Sequence, residues 1–293
     1  MVFGFLKPSY KLEIQPEQVP PTGPVEYTVV LDVLKPKEIK KLQASFKVVL
    51  EGQTRCEFRE EDEEGEETTE SRIEQFEFTL AKKEKVLLEK TLPGKGRHTY
   101  QVSFPLDKPL PMPGSYRYYS IKWIVQAEIP GLLRSTKATR ELNVTPPGGP
   151  GEAQTTTVYL GDIKVEAEVP SYTPRGVPFQ VKIRLTSTKD SAECKKITAT
   201  LANKIYTSKW DISPRAEECD RIQESREYGK ETLWENIKII PGESYEATAS
   251  FTVPQGESPS FSYQSSYSQW KIVLSCNKGM LREDKAEVPI TVL

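Results

Sequence analysis

The most informative internal match in the sequence begins with Tyr119-Ser120-Ile121-Lys122-Trp123-Ile124-Val125, which recurs as Tyr267-Ser268-Gln269-Trp270-Lys271-Ile272-Val273, an offset of 148 from position 119 to position 267. Three further matches occur in the same order in both halves: Ile39–Phe46 with Cys194–Leu201, Phe104-Pro105 with Val253-Pro254, and Ala138–Val144 with Ala286–Val292. Their offsets drift only as loop lengths change. The shared order favours one duplicated architecture over two unrelated domains.

Short runs of alternating apolar and polar residues make up most of the chain. Examples are Val25–Leu31, Leu42–Leu50, Phe76–Leu80, Tyr100–Phe104 and Tyr118–Ile129. Successive side chains of a β-strand point to opposite faces, so such runs are typical of half-buried strands. Many of the 23 prolines stand at run ends, where a missing N–H does not interrupt a ladder. The pattern predicts an all-β protein of two tandem immunoglobulin-like antiparallel β-sandwiches.

A chain of 293 residues suits two domains, and one segment is suited to join them. It reads Thr145-Pro146-Pro147-Gly148-Gly149-Pro150-Gly151-Glu152-Ala153-Gln154, and Pro and Gly clusters mark domain boundaries. We predict an N-terminal β-sandwich at 1–145, a linker at 146–156 and a C-terminal β-sandwich at 157–293. The residues of the expected hinge are Pro146, Pro147, Gly148 and Gly149.

The sequence around the repeated strand resembles the arrestin family. The stretches that carry the resemblance are Tyr100–Leu106, Pro111–Tyr116 and Tyr119–Ile129 in the first half, and Phe251–Pro254, Ser258–Phe261, Tyr267–Cys276 and Val288–Val292 in the second. Arrestin-like domains have a similar strand ending in an apolar-Pro step, then a bend and a long strand. The resemblance covers nearly the whole chain. It implies tandem N- and C-type arrestin sandwiches, also found in the retromer cargo-adaptor subunit and a bacterial sporulation-control protein.

The sequence departs from the receptor-binding arrestins in several respects. It ends at Leu293, on the last predicted strand, so we expect no long regulatory tail, and it contains no Pro-Pro-x-Tyr motif. The buried charged cluster of the receptor arrestins is not assigned to particular residues here. A switch operated by a phosphorylated receptor is therefore not predicted.

The most distinctive local feature is the acidic segment Glu57–Glu70, which has nine acids and one arginine. We expect a solvated loop between strands, because like charges in a block repel one another. The alternative is a surface for a basic partner. The candidate residues for that surface are Glu60, Glu61, Asp62, Glu63 and Glu64.

A basic cluster follows the acidic segment and contains Lys82, Lys83 and Lys85. These lysines are candidates for contact with phosphates or anionic headgroups, so peripheral membrane association stays open. The alternative is a solvated face, since lysines on edge strands discourage aggregation.

The cysteines Cys56, Cys194, Cys219 and Cys276 form no Cys-x-x-Cys pair and are sparse. We expect reduced thiols in a cytoplasmic protein, with a Cys194–Cys276 bridge as the open alternative.

Arg215–Tyr228 is the one segment with helical character. In the aromatic-rich stretch Phe261–Trp270, Tyr267 and Trp270 are expected on a core strand, and Tyr263 is the candidate for exposure.

The sequence contains no motif for catalysis, a cofactor or a metal ion. The single histidine, His98, is expected in a turn, and there is no P-loop or zinc spacing. With a net charge of −2 and no basic excess in either half, nucleic-acid binding is not predicted. The sequence has no run of 18 apolar residues, so no membrane span is predicted, and no signal peptide is expected from its first residues.

These observations lead to three hypotheses. The first is a non-enzymatic intracellular scaffold or adaptor that binds protein partners, including cytoplasmic segments of membrane proteins, by strand addition at a sandwich edge. The second is a soluble stress or development regulator resembling the sporulation-control protein. The third is a carbohydrate-binding or hydrolytic β-sandwich, which requires an exposed aromatic platform or a cleft with paired acids.

Overall fold

The computed structural model describes residues 9–16, 19–20, 22–61, 67–131, 135–188, 191–220, 222–279 and 282–293. Their secondary structure is mostly β-strand, with one short helix, α1, at Lys209–Ile212. None of the helical structure described is long and apolar enough to cross a membrane. The chain divides into two compact units. The first contains Met1–Glu51, Glu77–Ser115 and Tyr119–Pro146, and the second contains Gly52–Phe76, Tyr116–Tyr118 and Pro147–Leu293.

The first unit is built from two sheets. The strands are β1 (Tyr10–Pro16), β2 (Val25–Val33), β3 (Ile39–Glu61), β4 (Glu67–Thr91), β5 (Gly96–Phe104), β6 (Gly114–Ser115), β7 (Tyr119–Ile129) and β8 (Thr136–Glu141). One sheet has the order β1-β2-β5. In the other, β3 pairs with β4 and β7, and β7 also pairs with β6 and β8. The far part of the β3–β4 pair, within Gly52–Phe76, belongs to the second unit.

The two sheets of the first unit share one core. Phe46 on β3 contacts Trp123 on β7, with ring centroids 5.4 Å apart, and Phe104 on β5, with centroids 6.4 Å apart. All three side chains are buried. Because β5 belongs to the opposite sheet, these contacts join the inner faces of a β-sandwich.

The second unit is also built from two sheets. The strands are β9 (Ala153–Leu160), β10 (Ile163–Pro170), β11 (Pro178–Ser187), β12 (Ala192–Tyr206), β13 (Glu218–Cys219), β14 (Gln223–Ile239), β15 (Ser244–Thr252), β16 (Phe261–Tyr263), β17 (Ser266–Gly279) and β18 (Arg282–Ile290). One sheet has the order β15-β11-β10-β9. The other has the order β14-β12-β17-β16, and β18 also pairs with β17. A single buried cluster takes side chains from both sheets, including Ile183 and Trp270, so this unit is a β-sandwich as well.

The two units repeat one topology. The sheet β1-β2-β5 corresponds to β10-β11-β15, and the pairings of β3, β4, β6, β7 and β8 correspond to those of β12, β14, β16, β17 and β18. The all-β duplication predicted from the sequence is therefore present. Within the part of the chain that the structure describes, β9, α1 and β13 of the second unit have no counterpart in the first.

The structure corrects the alignment of the repeated strand by one residue. Trp123 and Trp270 are both buried, and each donates its indole N–H to a backbone carbonyl 12 residues earlier, that of Pro111 or Ser258. The offset between the two strands is thus 147, from position 123 to position 270. The offset of 148 would match Trp270 with Lys122, although side chains one residue apart in a strand face opposite ways.

Two further sequence predictions are wrong in part. Strand β9 begins at Ala153, so the linker predicted at 146–156 extends too far into the second unit. The last boundary between the two units falls between Pro146 and Pro147. The helical segment predicted at Arg215–Tyr228 is also wrong, because it contains β13 and the start of β14, while α1 lies just before it.

The expectation of reduced thiols is wrong as well. Cys194 on β12 and Cys276 on β17 form one disulfide, which is the alternative that the sequence left open. Cys56 on β3 and Cys219 on β13 form a second disulfide. Spacing along the chain did not indicate the second bridge, since 163 residues separate its cysteines.

Candidate functional site

The connection between β12 and β14 holds most of the structure that is special to the second unit. It spans residues 207–222, and we call it the insert; residue 221 lies outside the described part. The insert contains α1 and β13. The equivalent connection in the first unit joins β3 to β4, at 62–66, and lies outside the described residues.

The insert is fixed to the distal part of β3 within the second unit. Cys219 pairs with Cys56 in the β13–β3 ladder, and the same two residues form the disulfide. Backbone hydrogen bonds on either side reinforce the pairing, from Glu217 N to Glu57 O and from Asp220 N to Arg55 O, both at 2.8 Å. Arg59 adds an ion pair with Glu217 at 2.8 Å. A two-residue strand alone would be marginal, so the covalent bridge secures this end of the insert.

The other end of the insert is fixed through α1. The carboxylate of Asp211 accepts hydrogen bonds from Ser265 N at 3.1 Å and from Ser266 Oγ at 2.6 Å. Ser266 Oγ in turn accepts the N–H of Ser208, immediately before the helix. The ammonium of Lys209 donates to backbone carbonyls of the insert itself. These bonds tie the helical turn to β17 and to the rest of the insert.

Trp210 is the exposed side chain of this anchored turn. It is 64% exposed, whereas Ile212 on the same turn is buried. The ammonium of Lys209 lies 4.9 Å from the centroid of its indole ring, a cation–π distance. Large exposed aromatic side chains on a rigid support are typical anchors of protein interfaces.

A polar cleft of about 580 Å³ lies beside the base of the insert. Its lining residues, all within the second unit, include Arg55, Arg117, Tyr118, Asp220 and Glu224. Tyr118 donates its hydroxyl proton to Glu224 at 2.7 Å, and Arg226 donates to the other oxygen of the same carboxylate. The guanidinium of Arg117 lies 3.9 Å from Glu224.

The electrostatics of the cleft centre on Glu224. Partial burial opposes ionisation of this carboxyl, but the hydrogen bonds from Tyr118 and Arg226 outweigh it and hold the pKa of Glu224 below its ordinary value. Burial raises the pKa of Tyr118, and its hydrogen bond to the carboxylate raises it further. The carboxylate therefore stays charged at neutral pH, with three of its neighbours oriented around it.

The acidic segment predicted from the sequence is only partly described. Glu60 lies on β3, where its backbone carbonyl accepts a hydrogen bond from Thr68 Oγ1 at 3.2 Å. Glu61 ends β3, and Asp62, Glu63 and Glu64 lie outside the described residues. The expectation of a loop throughout Glu57–Glu70 is wrong, because β3 reaches Glu61 and β4 begins at Glu67. A role in binding stays a prediction.

The basic cluster lies in the first unit and is partly occupied by internal contacts. Lys83 donates to the carbonyl of Pro105 and pairs with Asp107 at 2.9 Å. Lys82 pairs with Glu84 at 2.7 Å. Lys85 is exposed. The structure does not bring these lysines into one unit with Glu60, and their role in binding also stays a prediction.

Other residues considered from the sequence have structural positions. His98 on β5 lies with Nε2 2.8 Å from the carbonyl oxygen of Gly94. Tyr267 and Trp270 lie on β17, as predicted, and Tyr263 is half-buried on β16. Across the described residues, no cluster of three His, Cys, Asp or Glu side chains is arranged to hold a metal ion. The expected hinge, Pro146 to Gly149, stays a prediction.

The insert and its exposed tryptophan were missed from the sequence. The helical segment predicted from the sequence starts a few residues too late, and Trp210 lies between Ser208 and Ser213-Pro214 with no periodic signal. One signal was available: Cys219 and Cys56 are the two cysteines left over once Cys194 and Cys276 are paired.

Comparison with known proteins gives no assignment for this chain. No protein-family model matches it, and no curated protein matches it significantly.

Proposed function

We propose that this protein is a non-enzymatic scaffold or adaptor that binds a protein partner through Trp210 and the anchored insert. The observation that carries the proposal is the 64% exposure of Trp210 on a turn that is fixed through Asp211 on one side and the Cys56–Cys219 bridge on the other. An anchor that is already rigid loses little conformational entropy on binding. The fold then presents the ring instead of burying it.

The arrestin-like arrangement is part of the proposal. The duplicated topology and the apolar-Pro ends of β5 and β15, at Phe104-Pro105 and Val253-Pro254, support it. An arrestin-like protein would act in trafficking or signalling and bind segments of membrane proteins. The insert would then determine which partner this chain binds.

The two disulfides bear on the compartment that we propose. The cytoplasmic location proposed from the sequence rested on reduced thiols, and both pairs are bridged. Persistent disulfides are typical of oxidising compartments and of intracellular proteins from hyperthermophiles. We keep the proposal of a cytoplasmic adaptor, as an intracellular protein whose disulfides persist in the manner of hyperthermophile proteins. Labelling of thiols in intact cells, before and after reduction, tests this location.

A carbohydrate is the second candidate ligand, because an exposed indole ring is also the surface on which sugars stack. A protein partner and a glycan are detected by different binding assays. A protein partner would be captured from an extract, whereas a glycan would be bound by the purified chain on an array.

The test is affinity capture of the tagged protein under non-reducing conditions from its native extract, with and without membranes, for wild type, Trp210→Ala and Leu92→Ala. Leu92 is 66% exposed and lies in the first unit, so it is a matched control. We expect partners whose recovery falls about tenfold or more with Trp210→Ala, as for an interface hot spot, and is unchanged with Leu92→Ala. Equal recovery by all three forms would overturn the proposal. Glycan binding that is lost with Trp210→Ala would favour the carbohydrate.

A further inference from the structure

Among the described residues, strand β9 pairs with one strand only and forms an edge of its sheet. It pairs with β10 from Ala153↔Pro170 to Leu160↔Ile163 and is the last strand in its sheet. The turn between β9 and β10 has two residues, so Leu160 and Ile163 form a hydrogen-bonded pair. Going back along β9 from Leu160, every second residue bonds to β10 through its backbone. The backbone N–H and C=O groups of Ala153, Thr155, Thr157 and Tyr159 therefore point away from β10.

This edge lacks the features that normally protect one. Within Ala153–Leu160 there is no charged residue and no proline, and the register with β10 is continuous. Several other edge strands differ: β1 carries Lys11, Glu13 and Pro16, and β14 carries many charges and register shifts in its pairing with β12. On β15 the N–H of Ser250 donates to Glu231 Oε1. An unprotected edge is a template for pairing with another strand.

We propose that β9 pairs antiparallel with β9 of a second copy, forming a two-fold symmetric dimer with a continuous sheet. This is independent of the partner surface at Trp210. Such an interface is isologous, because each strand supplies the same residues to the other.

The sequence of β9 is complementary to itself in one register. Centred on Thr156, the pairing places Thr155 opposite Thr157 and Ala153 opposite Tyr159 of the other copy. These residues carry the outward-pointing backbone groups, so the hydrogen-bonded pairs of the dimer use groups that β10 leaves free. Opposed threonines are a favourable cross-strand pair, and no like charges meet.

The surroundings of the edge fit this register. Thr155 and Thr157 are exposed, and Tyr159 is 57% exposed, so its ring is available to cover the small Ala153 of the other copy. At the end of the strand, a Cβ on Gly161 would lie 2.5 Å from the carboxylate of Asp284 on β18. The turn is thus already packed, and the pairing is confined to Ala153–Tyr159.

The first test is sedimentation velocity of the disulfide-intact protein from about 1 to about 200 µM, the range in which a short interface would associate. We expect a reversible dimer in wild type. Thr157→Lys should raise the dimer dissociation constant about tenfold or more, because it places a charge on the edge. The matched control is Thr248→Lys, the same change at an exposed position of β15 in the same sheet.

The second test fixes the register. All four native cysteines are in disulfides, so Thr156→Cys adds a single reactive thiol. In the proposed register this thiol meets its own copy, and mild oxidation should give a covalent dimer, whereas Gln180→Cys on β11 should stay monomeric. A wild type that is monomeric throughout, a dimer that Thr157→Lys leaves unchanged, or no preference for Thr156→Cys over Gln180→Cys would overturn the proposal.

Discussion

Trp123 and Trp270 occupy equivalent positions in the two units, and each donates its indole N–H to a carbonyl 12 residues earlier in the chain, at 2.8 Å and 2.7 Å. Each bond joins a central strand to the segment that precedes its short partner strand, since Pro111 lies before β6 and Ser258 before β16. The ring fills the core, and its N–H donates to a backbone carbonyl there. The duplication thus extends to a polar contact in the core.

We expect Trp123→Phe and Trp270→Phe each to lower the free energy of unfolding by about 2 kcal/mol or more, because each removes a buried donor and leaves a gap. Equilibrium denaturation in guanidinium chloride measures the effect. Lys271→Gln is the control, since Lys271 faces outward and pairs only with Glu287 among the bonds described for it, and its loss should cost less than about 1 kcal/mol. If Lys271→Gln and Trp270→Phe lowered the free energy of unfolding by similar amounts, this would contradict the alignment of Trp123 with Trp270 at an offset of 147.

The sequence predicted the strands better than their alignment. Alternation is visible in each strand, because a face is either buried or exposed, and this was enough to predict an all-β duplication. The match at 148 followed the identities of Tyr119 and Ser120 with Tyr267 and Ser268. Burial in a strand depends on which of the two faces a residue lies on, and neighbouring residues lie on opposite faces. Tyr119 is buried, whereas Tyr267 is only half-buried. The buried tryptophans were the better guide, since their position is set by the core.

The candidate site was harder to predict, because it depends on contacts between distant residues. Nothing near Cys56 in sequence indicates that it meets Cys219, and the exposure of Trp210 follows from how Asp211 is bonded to Ser266. Apolar residues are assigned to cores by default, so a tryptophan outside a periodic pattern gave no signal. The acidic segment was conspicuous in sequence, yet its described residues are ordinary strand.

Removal of the two disulfides should affect different parts of the structure. The Cys194→Ser/Cys276→Ser double variant loses a bridge between neighbouring core strands, and we expect a cost of about 2–5 kcal/mol. The Cys56→Ser/Cys219→Ser variant should cost a similar amount and also increase amide hydrogen exchange in the insert around Trp210. Thermal unfolding and hydrogen exchange with mass spectrometry distinguish the two. Four thiols accessible to maleimide in the denatured, unreduced protein would contradict both bridges.

Three glycines after the end of the first unit should respond differently to alanine. A Cβ on Gly148 or Gly149 would meet nothing within 4 Å, and neither residue has a positive φ. We expect each Gly→Ala change to be neutral or stabilising by up to about 1 kcal/mol, since it restricts the unfolded chain. Gly151 differs, because its Cβ would collide with the Ser171 hydroxyl and the Tyr172 ring.

We therefore expect Gly151→Ala to destabilise the fold by about 1–3 kcal/mol through local overpacking. Thermal denaturation of the three single variants measures the difference. The result also locates the start of the second unit, because Gly151 N donates to Tyr172 O. Equal tolerance at all three positions would place Gly151 in the linker instead.

The stability of the second unit should depend on the ionisation of Glu224. Its folded pKa is lowered because the hydrogen bonds from Tyr118 and Arg226 outweigh the opposing effect of burial. A carboxyl whose pKa is lower in the folded state contributes stability that is full above its unfolded pKa, about 4.3. That contribution is lost as the pH falls through the lower folded pKa.

Tyr118→Phe removes one of the two hydrogen bonds that favour the carboxylate, so we expect the pKa of Glu224 to rise toward its ordinary value. Carboxyl ¹³C chemical shifts followed from pH 7 to about pH 2 measure the pKa directly, and denaturation over the same range measures the stability. The matched control is Tyr228→Phe, because Tyr228 donates instead to Glu257, at 2.8 Å. The variant Tyr118→Phe should lose less stability than wild type on acidification, since it has less of this contribution to lose. An unchanged titration of Glu224 in Tyr118→Phe would contradict this prediction and show that Arg226 and Arg117 set the charge in the cleft.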